Sequence, residues 1–517
     1  MISDRSKKNA AALSDGEWHR LHPASPFLKG GFALLAVIGY FIAQARERLI
    51  EVFVPEAGYG GEDPVEFLFV SGVLGWALLI FFGFLLIFMM LFYISWRMHT
   101  FRITAEVVEV RSGVIFRTNR RARLDRIQGV NIARPLFARL FGAARLEINQ
   151  AGNDANVKLE YLASTATDEL RREILRLASG TRSTAAVQAS TENPDQRGIV
   201  GRRVDEFLAP ELAPDIAEPA SVVKLSVGRL IGSILLSTST FVLLGITVVV
   251  IVVSLFAREA QYGLLGFIPA VLGFGGVYLR RFTKSLRYTV AGTPDGVRVG
   301  FGLLSTTNET LPPGRIHSIA ITQSIFWRPF GWWEVRVNRA GQSATHGSAG
   351  QQNTTILPVG NQAEVLRVLA LMLPALAEPA TDSIRLIEQG LVSHPGPDDP
   401  FTTSPPRARP LRWFSRRRNG FAFAPEAVLL RRGAIWRSLV IVPQARVQSV
   451  SVRQGPLLRA LRLASIHLHT VAGPIVAQLG ALDHDDALEF FAAAENAAIV
   501  AASGDTSHRW RSIQESP

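Results

Sequence analysis

Arg126-Ile127-Gln128-Gly129-Val130 is the stretch on which the reading of this chain turns, because it returns as Arg315-Ile316-His317-Ser318-Ile319 and again as Arg446-Val447-Gln448-Ser449-Val450. A glycine stands 13 residues before each arginine, at Gly113, Gly302 and Gly433. An Ala-Gly pair follows in each copy: Ala151-Gly152, Ala340-Gly341 and Ala472-Gly473. Its glycine lies 26 residues after the arginine in the first two copies and 27 in the third, so a single insertion separates them. Self-similarity on this scale means one small domain used three times, and function is to be sought in that domain and in what joins the copies.

Within the first copy, Val108 and Val110 alternate with Glu109 and Arg111, Ser112-Gly113 supplies a turn, and Val114-Ile115-Phe116 resumes an apolar run. This predicts a β-hairpin. Ile127 to Ile132, Leu146 to Ile148 and Val157 to Tyr161 alternate in the same way and predict further short antiparallel strands. The later copies repeat the plan, with Val335-Arg336-Val337 and Ile466-His467-Leu468 ahead of the Ala-Gly turn. Each copy closes on a helical pattern: Leu170, Ile174 and Leu177 after a Thr167 cap, Val365 to Met372 after Asn361, and Leu488 and Phe491 after Asp483. The expected fold class is a curved antiparallel sheet with a C-terminal helix, the pleckstrin-homology (PH)-like plan, in three copies.

The rest of the chain reads as membrane. Nearly half of the 517 residues are apolar (48%), and there is no charge from Phe67 to Trp96, from Leu230 to Ala257, or from Ala260 to Leu279. Thirty helical residues extend about 45 Å against a hydrocarbon core of roughly 30 Å. With a shorter run from Phe27 to Ala45, where Lys29 snorkels, these make four transmembrane helices in two hairpins. The net charge of +12 sits beside these runs, at Arg97 and Arg102 and at Arg280, Arg281, Lys284 and Arg287, which is a topology pattern and not that of a nucleic-acid partner. The acidic connection Glu47 to Glu66 lies opposite, so both termini and all three repeats are expected in the cytoplasm. The expected order is an N-terminal segment 1–26, hairpin 27–96, PH-like domain 97–178, linker 179–226, hairpin 227–280, domain 281–374, Pro-rich linker 375–412, domain 413–501 and tail 502–517.

On these residues the chain resembles the bacterial PH-like (bPH) domain membrane proteins of the YdbS/YdbT family. The Arg-apolar-Gln frame carries the likeness, together with the segments Pro135-Leu136-Phe137, Ser324-Ile325-Phe326 and Pro456-Leu457-Leu458 that follow it. Copy two departs through His317 and a tryptophan cluster, Trp327, Trp332 and Trp333; copy three lacks a preceding hairpin. The resemblance implies a membrane-anchored binding or scaffolding module and not an enzyme.

The sequence independently offers no chemistry. Without cysteine there are no disulfides, thiolate metal sites or thiol nucleophiles. There is no phosphate-binding glycine loop and no nucleophile-base motif, so neither catalytic residues nor a cofactor is expected. His467 and His469 face one way on a strand but lack a third ligand, so a hydrogen-bonded pair is expected in place of a metal. Asp483-His484-Asp485-Asp486 reads as a helix start. Arg117, Arg120, Arg121 and Arg123 stand as candidate contacts to anionic lipid, against a solvated loop that only reinforces topology. Repeat-frame arginines Arg126, Arg315 and Arg446 read as outward polar positions of a structural strand, against a contact to a ligand. The tryptophans either dip into the interface or pack the second domain, packing being expected for at least one. Expected partners are membrane lipid, a protein partner or further copies of the chain through exposed strand edges. The competing reading is a small-solute transporter, disfavoured because the longest spans hold no ionisable residue.

Overall fold

The computed structural model describes residues 15–22, 25 and 74–505, except 105, 114–116, 125–126, 151–155, 179–222, 257–274, 277, 280, 284, 294–295, 303–304, 312–313, 340–353, 378–381, 393–395 and 397. It contains two compact units. One comprises residues 1–122, 134–146 and 157–171, the other residues 123–133, 147–156 and 172–517.

In the first unit, α1 (Leu74–Arg97) runs without a charge until Arg97 and leads into a sheet ordered β1 (His19–Arg20), β2 (Thr100–Ile103), β3 (Val107–Ser112) and β4 (Thr118–Arg123). Alternation places Phe101, Ile103, Val108 and Val110 inside. The hairpin return is β4; the expected run Val114–Phe116 lies outside the described residues. The Trp96 indole donates to the Leu21 carbonyl at 3.1 Å and ties the end of α1 to the segment before β1.

The remaining strands of this domain are β5 (Ile127–Arg134), β6 (Ala143–Gln150), which follows the short helix α2 (Leu136–Leu140), and β7 (Val157–Ala163). The closing helix α3 (Ser164–Ala178) buries Leu170, Ile174 and Leu175. It begins three residues before the expected cap. Thr167 lies inside it, and its hydroxyl donates to the Ala163 carbonyl at 2.8 Å, a back-bond that serves a hydroxyl within a helix as well as a cap would.

The second repeat opens with β8 (Val223–Lys224), followed by α4 (Val227–Leu235) and α5 (Thr238–Phe256). Its strands are β9 (Thr289–Thr293), β10 (Gly296–Phe301), β11 (Thr306–Leu311), β12 (Ile316–Gln323), β13 (Trp333–Arg339) and β14 (Thr355–Gly360), closed by α6 (Gln362–Met372). Asn361 caps α6 as expected. Its side chain accepts from the Glu364 amide and the Glu364 carboxylate accepts from the Asn361 amide, which satisfies two end donors at once.

The described residues of segment 375–412, read as a linker, carry regular structure. They form α7 (Ser383–Val392) and β15 (Thr402–Thr403), and Ile387, Leu391 and Phe401 are buried. Arg431, fully buried, pairs with Asp399 and lies 4.2 Å from the Phe401 ring centre. Arg418 donates to the carbonyls of Gly390 and Leu391 at 2.8 and 2.7 Å, holding a cation against the C-terminal end of α7. The third repeat then supplies β16 (Gly420–Ala424), β17 (Ala427–Arg432), β18 (Arg437–Pro443), β19 (Ser449–Arg453), β20 (Leu463–His469) after α8 (Pro456–Ala460), β21 (Ala477–Asp483) and α9 (His484–Ser503).

Consecutive domains share sheets. The second half of repeat two runs on into the first half of repeat three, in the order β14-β13-β12-β18-β17-β16-β15, with Ile319 opposite Ile441 and Ile321 opposite Leu439. The second unit repeats the construction where β5 of repeat one lies beside β11, followed by β10, β9 and β8. Both faces of β17 and β18 are therefore covered. Leu429, Leu439 and Ile441 join a core with Val335, Val337 and Val368, while Val428, Leu430, Val440 and Val442 join one with Ile466, Leu479 and Phe490. A strand buried on both faces becomes an unbroken apolar run, as Leu439-Val440-Ile441-Val442 is.

Among the described residues no single helix is long and apolar enough to cross a membrane; α4 and α5, bent by 46° at their break, meet that standard together over Val227–Leu235 and Thr238–Val250. The four continuous helices of the sequence reading are thus not what these residues present. The first and most of the fourth lie outside them, the second falls on α1, and the third is interrupted. The break has a local cause: Thr240 Oγ1 donates to the Ile234 carbonyl at 2.7 Å and Ser237 Oγ lies 2.9 Å from Thr240 Oγ1, so hydroxyls take over backbone partners.

Candidate functional site

The four arginines singled out in the sequence fall together. Arg117 immediately precedes β4, and Arg120, Arg121 and Arg123 lie on it, all four exposed while Ala122 between them is buried. Alternation alone does not make this surface; the strand is the outermost of its sheet among the described residues, paired with β3 on one edge only. Arg121 is held by Glu109, a nearly buried carboxylate 2.6 Å from its Nε and 2.8 Å from Arg102 Nη2. Arg111 stacks 3.9 Å from the Trp18 ring centre, which adds a further cation to the same sheet. The arrangement is a basic surface with one internal carboxylate, suited to binding anions.

The glycines of the repeated frame are backbone devices. Gly113, Gly302 and Gly433 adopt φ of 103°, 108° and 80°, and a Cβ on either of the last two would stand 1.9 Å from the carbonyl oxygen three residues on. The arginines are less uniform than a strand reading predicts. Arg446 ends a short 3-10 turn (Gln444–Arg446) and pairs with Asp505 at 2.9 Å, Arg315 is half-buried, and Arg126 lies outside the described residues. His317, set between Arg446 and Arg315, is held neutral by burial first and by those two cations second, its pKa lowered to about 4.

The tryptophans of repeat two pack. Trp327 and Trp333 are buried, and Trp332 lies against α4, where a Cβ on Gly232 would come within 2.8 Å of its ring. The Trp327 indole donates at 3.3 Å to the Ser233 carbonyl beside the helix break, and Phe326 stacks on Phe241 with centroids 3.9 Å apart. From repeat three, the Trp436 indole reaches Thr238 Oγ1 at 3.3 Å. Arg229 on α4 pairs with Glu364 of the α6 cap. The base of the bent apolar pair is thus gripped by the folded domains. Sequence reading missed Trp436 because it belongs to no motif.

His467 and His469 stand with ring centres 3.9 Å apart, and His469 Nε2 bonds Ser451 Oγ at 3.0 Å. Burial, His469 and Arg453 lower the His467 pKa. No group of three metal-ligating side chains occurs among the described residues. Asp483 caps α9 by accepting from the Asp485 amide at 3.1 Å, the role expected for that acidic run.

Another position matters more than the motifs. Asn338, fully buried at the end of β13, donates to the Ile475 carbonyl at 2.7 Å and accepts from its amide at 3.0 Å, so repeat two holds the Ala472-Gly473 turn of repeat three. Gly473 is required there: a Cβ would lie 2.3 Å from Asn338 Oδ1. The corresponding turns Ala151-Gly152 and Ala340-Gly341 lie outside the described residues.

No curated protein matches the chain. A family model described as Bacterial PH domain matches it three times, over residues 37–178, 229–374 and 406–498. These matches coincide with the three sheet-and-helix repeats and cover well over half of the sequence. The chain belongs to the bacterial PH domain family.

Proposed function

We propose that this is a multi-pass membrane protein of the YdbS/YdbT type whose three PH-like domains, on the cytoplasmic side, form a non-enzymatic binding and scaffolding surface for anionic lipid headgroups. The observation that carries the reading is the exposed basic set Arg117, Arg120, Arg121 and Arg123 on and beside the open strand β4. Each juxtamembrane cation contributes about 1 kcal/mol near an anionic surface. Membrane attachment is supported by the apolar side chains that α5 leaves exposed, among them Val242, Leu244, Val249 and Val253, and by Tyr93, Trp96 and Arg97 at the end of α1, the residue types of a membrane interface. The first family match begins inside an apolar run, at residue 37, and the second begins at 229, immediately before one, whereas the third begins at 406 without one.

The test uses the purified full-length chain titrated in detergent with short-chain phosphatidylglycerol and, separately, phosphatidylcholine. The anionic lipid should bind at least about tenfold more tightly, and the triple variant Arg117→Ala, Arg120→Ala, Arg123→Ala should lose that preference. Arg121 is left in place so that Glu109 keeps its partner. Equal affinity for the two lipids, or an unchanged preference in the variant, refutes lipid recognition by this strand.

A further inference from the structure

The same corner joins the repeats twice, and both of its halves are left over at the ends of the array. Within the chain, β5 lies beside β11 and β12 beside β18. Each junction pairs the strand after one repeat's frame arginine with the strand after the next repeat's frame glycine. Ile319 faces Ile441 at one junction, and at the other a Cβ on Gly129, the residue before Val130, would lie 3.1 Å from the carbonyl oxygen of Thr310, eight residues after its frame glycine as Ile441 is after Gly433. By this rule two strands have no second strand beside them among the described residues, β4 of repeat one and β19 of repeat three, each the outer strand of its sheet.

Burial marks them as unfilled. β11 and β18 are largely buried and so is β12, whereas β4 is exposed at every position but Ala122, and β19 has no fully buried residue. The polarity of β4 is no obstacle, since β11, Thr306-Thr307-Asn308-Glu309-Thr310-Leu311, is equally polar and forms an inner strand. His469 holds the ladder place in repeat three, opposite Ser449, that Asn338 holds opposite Ser318 in repeat two.

We propose that copies of the chain associate head to tail, β19 of one copy pairing with β4 of the next through the corner that already joins its repeats. Carrying over the β12–β18 register places Val450 opposite Arg121, Ser451 opposite Arg120, Val452 opposite Asn119 and Arg453 opposite Thr118. No arginine then faces an arginine directly, an arrangement cross-strand pairing penalises. The contact is heterologous, so it propagates into a ring or an open array instead of stopping at a symmetric dimer. Backbone groups make it, and because the strands that fill this corner within the chain are largely buried, association and lipid binding compete for β4.

The absence of cysteine makes the test direct. Opposed residues on antiparallel strands lie about 4.5–5.5 Å apart at Cα, within disulfide range. Full-length chain carrying both Asn119→Cys and Val452→Cys, oxidised in detergent, should give a ladder of dimers and larger species on non-reducing gels. A mixture of the two single variants should stop at dimers. Native mass spectrometry of the unsubstituted chain should show multiples whose share rises with concentration. A cross-link confined within one chain, dimers from Asn119→Cys alone, or a monomer at all concentrations overturns the proposal.

Discussion

Asn338→Ala removes the side chain that holds the Ile475 amide and carbonyl, and both groups are left without partners where Asn338 itself is fully buried. An unpaired buried backbone group costs about 1–3 kcal/mol, so the junction between repeats two and three should lose about 2–6 kcal/mol. Gly473→Ala attacks the same contact from the other side, because its Cβ lies 2.3 Å from Asn338 Oδ1 and pushes the amide out of place. The two substitutions therefore remove one interaction, and the double variant should be no worse than Asn338→Ala alone. Global unfolding of a chain of several domains is not a two-state event, so the local readout is hydrogen exchange over residues 473–477 in the full-length protein. At the lower end of the range, opening should become about 30-fold more frequent in either single variant. Unchanged protection in Asn338→Ala, or additive losses in the double variant, would refute the account of this junction.

Two further outcomes follow from buried charge. Arg339 and Glu309 pair with side chains only 2% exposed; Arg339→Met alone should destabilise by about 3–5 kcal/mol, and adding Glu309→Leu should recover most of it, checked by thermal unfolding in detergent. His317 has a folded pKa of about 4 against an ordinary 6.5, so the unfolded chain takes up its proton first as pH falls. Stability should be level above about pH 6.5, decline between 6.5 and 4 and level again below; the span is on the order of 2 kcal/mol after allowance for partial exposure. His317→Gln, which installs the residue found at 128 and 448, should flatten that slope in melting curves taken across the range.

The repeated domain was legible because its frame is dictated by backbone geometry: positive φ at Gly302 and Gly433 excludes side chains, and a spacing fixed by turns survives sequence change. Capping at Asn361 and Asp483 was legible for a similar reason, since short polar side chains before an apolar period have few other uses. The start of α3 was misplaced because Thr167 serves a helix interior by bonding back to Ala163. Segment 375–412 was read as a linker from its prolines, although Ile387 and Leu391 sit four apart on the buried side of α7. The shared sheets were signalled by Leu439-Val440-Ile441-Val442, a run too apolar for a strand with one wet face. The neighbour that wets or dries the second face is a long-range fact, which periodicity within one strand does not name. The arginine surface could be nominated from composition, but its position beside an open edge needed the strand order.

The shared sheets put the protein's modules out of phase. As a stretch of sequence, the repeating piece runs from one apolar hairpin or linker to the next helix, as the family matches at 229–374 and 406–498 divide it. As a hydrogen-bonded body, it runs from β12 to β18, the back half of one domain with the front half of its successor. Excising the third family segment would cut through such a body and bare the long apolar edge of β18, the kind of strand that recruits stray partners. Lengthening or shortening the array without loose ends therefore means splicing at the frame, between the glycine and the arginine, so that every added piece brings the complement of the edge it leaves behind.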